Sequence, residues 1–111
     1  MRKNLTDSKA LDHAVEYFQE SIPIFQVLSD INRQHIIIEL ARHDRLNVSQ
    51  LDEKISLSRP AISHHLKVLR AAGIVSSEKS GTENFYFLTL REAVDLLNAL
   101  TQSIEEGCIL R

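Results

Sequence analysis

Ser58-Arg-Pro-Ala-Ile-Ser-His-His-Leu-Lys-Val-Leu-Arg-Ala-Ala72 contains no acidic residue, in a chain whose formal net charge at pH 7 is −2. At 100° per residue this run predicts an amphipathic helix. Arg59, Ser63, Lys67 and Arg70 fall on one side with Pro60, and Ile62, Leu66, Leu69 and Gly73 on the other. Its three cations give the stretch a local charge of +3, so the rest of the chain carries −5. Positive charge is therefore concentrated on one face, which lets a protein of net negative charge meet the phosphates of a duplex. Taken alone, three cations mark a solvated helix face more often than a binding site. The neighbouring sequence changes that balance.

Upstream, Asn47-Val-Ser-Gln50 has the spacing of a capping box and predicts a short helix reaching about Lys54. Ile55 and Leu57 flank a tight turn. Ser58 then suits the N-cap of the second helix, and Pro60 costs nothing in a first turn whose amides have no intrahelical partner. The unit over residues 47–73 reads as helix-turn-helix. Such a unit enters the major groove by the N-terminal end of its second helix, which puts Ser58, Arg59, Ser63 and His64 nearest the bases or flanking phosphates. Lys67 and Arg70 lie further along, suited to backbone contacts.

After Gly73, a suitable C-terminal cap, the period changes to that of strands. Ile74-Val-Ser-Ser-Glu-Lys79 and Asn84-Phe-Tyr-Phe-Leu-Thr89 predict two strands joined around Ser80-Gly81-Thr82. A hairpin directly behind a helix-turn-helix is a wing, here over residues 74–89. Phe85, Tyr86 and Phe87 alternate faces of the second strand, and at least one ring is expected in the core.

The run Phe25 to Leu90, with FQVLSDINRQHIIIEL, SRPAISHHLKVLRAAGIV and SGTENFYFLTL, resembles the ArsR family of bacterial winged-helix transcriptional repressors. The Ser63 to Leu69 block with Ala72-Gly73-Ile74-Val75 is its most specific part, and Leu28 to Arg33 matches the family's entry to its second helix. The resemblance implies a mainly α fold with a small β-hairpin and a homodimeric, cytoplasmic protein. It also implies repression by binding double-stranded DNA, with release when a small effector binds.

The 111 residues, 43% of them apolar, suit one domain over 1–111 with a modest core. No apolar run approaches the length of a membrane span or a signal peptide. Met1 to Asp7 is polar and is expected to fray. Helical stripes run through Leu11, Ala14, Val15 and Phe18, over about 8–20, and through Ala93, Val94, Leu96, Leu97, Leu100 and Ile104, over about 90–106. These exceed what a small domain needs to cover itself. Leu11, Val15, Phe18, Val94, Leu97, Leu100 and Ile104 are therefore expected at a two-fold interface, as the resemblance also implies. Two recognition helices related by that axis predict an inverted-repeat operator with half-sites about one DNA turn apart.

The chain departs from the resembled family in its metal sites, and no metal or other cofactor is expected. It lacks the Cys-x-Cys arrangement near the recognition helix. In the C-terminal helix Asp95 could stand for one ligand, but its partner position is Leu97 and the later pair falls on Cys108 and Arg111. An Asp and one Cys are too few for a closed transition-metal site. Among the histidines, His64 suits a DNA contact while His65 turns toward the apolar side. His35 and His43 sit two turns or ~12 Å apart, too far to share a metal. His13 with Asp12 and Glu16 reads as solvated surface. Cys108, the single cysteine, cannot form an internal disulfide; thiol sensing across a dimer axis remains an alternative, with only Arg111 nearby to favour a thiolate.

The wing departs too. Thr82-Glu83 follows the turn glycine where family members often carry arginine, leaving Lys79 as the only wing cation and predicting reliance on the recognition helix. The acidic remainder and this missing arginine keep a second class open, a winged helix used as a protein-interaction module. An enzyme has no support, since the chain offers no phosphate-cradling Gly-rich loop, paired carboxylates in a cleft, or nucleophile with a base at usable spacing.

Overall fold

The computed structural model describes residues 7–109 and 111. Its elements are α1 (Ser8–Leu28), α2 (Ile31–Arg42), α3 (Val48–Lys54), α4 (Arg59–Ala71), β1 (Val75–Ser80), β2 (Glu83–Leu88) and α5 (Arg91–Gly107). The chain forms two compact units, Met1–Ile22 with Arg91–Arg111, and Pro23–Leu90.

The second unit begins with the last turns of α1. Asp30 caps α2, its carboxylate accepting from the amides of Asn32 (2.8 Å) and Arg33 (3.0 Å). The first turn of α2 in turn closes α1. Arg33 Nε donates to the Val27 carbonyl (2.8 Å) and Gln34 Nε2 to that of Leu28 (2.7 Å), covering oxygens that a helix end leaves open. Asn47 and Gln50 form the reciprocal capping box of α3. Ser58 caps α4 through the Ala61 amide (3.3 Å), with Pro60 in the first turn.

Helix α4 ends in a Schellman motif. Gly73 takes φ +77°, its amide bonds the Arg70 carbonyl (3.0 Å) and the Ile74 amide that of Leu69 (3.0 Å). The Ile74 amide is thereby used by the helix end, so β1 starts at Val75, one residue later than expected. The antiparallel register pairs Val75 with Leu88 and Ser80 with Glu83. Gly81, at φ +65°, supplies the positive dihedral that a two-residue hairpin connection requires. A further bridge joins Leu46 to Tyr86, with backbone bonds of 3.0 and 2.8 Å.

Ile36, Leu51, Ile62, Leu66, Leu69 and Ile74 are almost fully buried and form the centre of this unit. Each such side chain contributes roughly 1.5–3 kcal/mol by leaving water. None of Phe85, Tyr86 and Phe87 joins them. All three rings are half-buried, because a two-stranded hairpin leaves both faces partly open.

In the first unit, Asp7 is structured rather than frayed. Its carboxylate accepts from the amides of Lys9 (3.0 Å) and Ala10 (3.2 Å), and its own amide bonds the Gly107 carbonyl (3.0 Å). The rest of the stretch expected to fray lies outside the described residues. A Cβ on Gly107 would fall 2.5 Å from Leu11 Cδ2, so glycine permits the close approach of α5 to the start of α1.

Helix α1 does not end near Glu20 but continues through Pro23 to Leu28. An interior proline costs about 3 kcal/mol or more. Downstream, Ile24 and Val27 are both buried, and at roughly 1.5–3 kcal/mol each they offset that cost. On the outside of this unit Val15 is 54%, Phe18 47%, Ile22 48% and Val94 38% exposed. Leu11, Leu97 and Ile104 are half-buried. Leu100 departs from expectation: it lies on the buried line of α5 with Ala93, Ser103 and Gly107 and is already covered within the chain. Among the described residues no helix is long and apolar enough to cross a membrane.

Candidate nucleic-acid interface

Ile62, Leu66 and Leu69 anchor α4 in the core, which fixes its opposite face outward. Ser58, Arg59, Ser63, His64, Lys67 and Arg70 are all exposed. Ser58 spends its hydroxyl oxygen on the helix cap, and among the described residues its O–H has no acceptor, so it can still donate. Among the described residues, Lys67 and Arg70 form no ion pair, so their charges face solvent uncompensated.

A groove runs between α4 and the wing. Ser63, Lys67, Arg70, Ala71 and Tyr86 line one part of it. Asn47, Ser49, Ser63, Glu83, Asn84 and Tyr86 are on the adjoining part. Tyr86 belongs to both, and the Leu46 bridge holds its backbone in place. The groove thus gathers hydroxyls, amides and the Glu83 carboxylate with the two cations of the exposed helix face, Lys67 and Arg70, and the α4 side of it suits phosphate and base edges. Lys79 is exposed near the hairpin tip, opposite Asn84 in the register, and does not line the groove. Glu83 at the tip accepts from Asn47 Nδ2 (3.2 Å).

The other face of the wing is closed by Arg45. Its guanidinium lies 2.6 Å from Glu78 and 4.3 Å from the centroid of the Phe85 ring. Phe85 and Phe87 share this side, so the period-two alternation turns Tyr86 toward α4. Sequence alone indicated that Tyr86 opposes its two neighbours; it held no signal for which side faces the recognition helix.

Arg59 is not free. Its Nε donates to Asp52 Oδ2 (3.2 Å) and its Nη2 to Ser49 Oγ (3.2 Å), both on α3. Neither partner was singled out from the sequence.

The histidines separate as their positions suggest. His64 is exposed, and its ring centroid lies 5.9 Å from that of the half-buried His65, the planes tilted by 57°. Arg33 Nη1 sits 3.3 Å from His65 Nδ1. Because guanidinium only donates, Nδ1 accepts and the ring in this contact is neutral. Burial lowers the His65 pKa below its ordinary 6.5; Asp30 opposes this, while Arg33 and His64 add to it. Asp30 is itself held below its ordinary 3.8, first by the Arg33 amide bond. His13, His35 and His43 are exposed. Among the described residues no group of three or more His, Cys, Asp and Glu could hold a metal ion. Cys108 is half-buried, with Sγ 3.0 Å from the Ile104 carbonyl.

A helix-turn-helix whose second helix exposes a cationic row, followed at once by a hairpin that forms one wall of a polar groove, defines a winged-helix DNA-binding transcriptional regulator. The profile described as "Bacterial regulatory protein, arsR family" matches residues 30–77. An HTH-type transcriptional regulator of Methanocaldococcus jannaschii is 33% identical over 89 residues, covering 78% of this chain and all of that one. The transcriptional repressor SdpR of Bacillus subtilis is 29% identical over 84 residues, 76% of this chain and 92% of that one. Among solved structures, an ArsR-like transcriptional regulator from Rhodococcus sp. RHA1 superposes with a TM-score of 0.72 at 34% identity, covering 79% of this chain and 80% of that one. The chain belongs to the ArsR family.

Proposed function

We propose that the protein is a homodimeric repressor that binds an inverted-repeat operator and leaves it when an effector binds. The observation that carries this reading is the uncompensated row of Ser63, Lys67 and Arg70 on α4, facing the Tyr86 side of the wing. Ser58, Arg59, Ser63 and His64 are placed to meet bases or adjacent phosphates, and Lys67, Arg70 and Lys79 to meet backbone phosphates. Val15, Phe18 and Val94 form the centre of the dimer contact, with Leu11, Leu97 and Ile104 contributing their exposed parts. Support comes from 38–54% exposure of the first three, which water would otherwise cover at a cost. The protein acts in the cytoplasm, catalyses no reaction, and works without the family's cysteine and C-terminal-helix metal sites.

Selection from a pool of randomised duplexes, followed by titration of the enriched sequence at two salt concentrations, tests this. Recovery of an inverted repeat with half-sites about one turn apart, bound more weakly as salt rises, is the expected result. No enrichment at moderate salt refutes it in favour of a protein-interaction module, the reading that the acidic wing tip around Glu83 would then support.

A further inference from the structure

Arg59 opens the recognition helix, where a long cationic side chain reaches base edges, yet an acidic side chain sits beside it. A carboxylate on a surface that meets phosphates weakens binding unless it does something else. Stabilising the fold is a poor candidate for that role. The side chains of Arg59 and Asp52 are 61% and 36% exposed, and such pairs contribute little to stability. What the contact does fix is orientation. Guanidinium has five N–H donors in a planar fork. Asp52 takes the one on Nε and Ser49 takes one on Nη2, so the side edge of the fork is occupied. Among the described residues nothing bonds the end edge, with its parallel N–H groups on Nη1 and Nη2. That edge matches the O6 and N7 acceptors of guanine in the major groove. Rotamer freedom that an unrestrained arginine would lose on binding has already been given up in the free protein.

We propose that Asp52, together with Ser49, is a positioning residue that holds Arg59 by the side edge of its guanidinium so that the end edge reads a guanine in each half-site. This rests on the operator-binding reading above.

The test uses the full-length protein and the duplex it selects. Arg59→Ala first identifies the base pair at which guanine preference disappears. Asp52→Ala is expected to weaken binding to that duplex on the order of three- to thirtyfold and to flatten preference at that same base pair only. Combined with Arg59→Ala it should add no further loss. Asp52→Asn, which keeps an oxygen acceptor for Nε but removes the charge, is expected to restore most of the guanine preference, and Ser49→Ala to lose part of it. Thermal midpoints of the variants confirm folding. If Asp52→Ala and Asp52→Asn both tighten binding to every sequence, Asp52 is a repulsive charge and the inference is overturned. It is overturned equally if Arg59→Ala alters no base preference, although the operator reading then stands. A wild-type protein that selects no duplex removes the operator reading itself.

Discussion

Lys67→Ala isolates the phosphate contribution of the recognition helix. Lys67 lies on the exposed face of α4, lines the groove with Tyr86, and forms no ion pair among the described residues. Its removal therefore strips one cation from the interface without freeing an acidic partner. On a two-fold complex the substitution removes two phosphate contacts. At about 0.9 of a log unit per contact, the slope of log K against log salt becomes shallower by about 1.8. Between about 50 and 200 mM salt this amounts to about a twelvefold difference, so the variant is penalised most at the lower salt. Fluorescence anisotropy of a labelled operator duplex over that range, repeated with an unrelated duplex, gives both slopes. The two should change alike, because phosphate is common to every sequence. An unchanged slope, or a loss confined to the operator, refutes the assignment of Lys67 to the backbone.

Other expectations follow from the core, the half-buried histidine, the exposed face and the metal chemistry. Leu66→Ala, at a side chain 1% exposed, should cost about 2–5 kcal/mol in urea unfolding; a loss under about 1 kcal/mol would show that α4 is not anchored there. His65 has its pKa lowered from 6.5, so as pH falls below 6.5 the unfolded chain takes up the proton first. Stability from this group is therefore full above 6.5 and declines toward the lower folded value, and His65→Gln should flatten that part of the pH–stability curve. An unaltered curve places the titration elsewhere. Phe18→Glu should yield a folded monomer by sedimentation with weakened operator binding, whereas an unchanged dimer would remove Phe18 from the interface. Stoichiometric zinc added to metal-free protein should leave operator affinity unchanged, and DNA release at low micromolar zinc would contradict the reading without metal.

The parts legible in the sequence are those governed by local rules. The capping box at Asn47, the Ser58 cap, the apolar line Ile62–Leu66–Leu69 and the glycine after α4 each depend on residues within a turn or two, and each forms as read. Errors arose where a distant partner decides. Thr89 leaves β2 although its amide bonds the Ile74 carbonyl in register, because the Ile74 amide that would return the bond is taken by the Leu69 carbonyl at the end of α4. The stripe over about 8–20 gives no sign that α1 runs on through Pro23, which the burial of Ile24 and Val27 supports. Asp52 and Arg59 lie seven residues apart on different helices, and no periodicity links them. The same holds for Arg33 and His65, and for the Leu46 bridge that aims Tyr86.

That bridge divides the wing mechanically. Two backbone bonds pin the hairpin at Tyr86, and beyond this clamp only a short overhang remains, three residues or about 10 Å along β2 to Glu83. The overhang is held by side chains alone, Glu83 by Asn47 and Glu78 with Phe85 by Arg45, while the aromatic ring behind the clamp keeps its station over the groove. The tip is therefore a module. Ser80 and Thr82, on either side of the glycine that the turn requires, can be exchanged for cationic residues, retuning contact with flanking DNA while keeping Glu83 and its bond to Asn47.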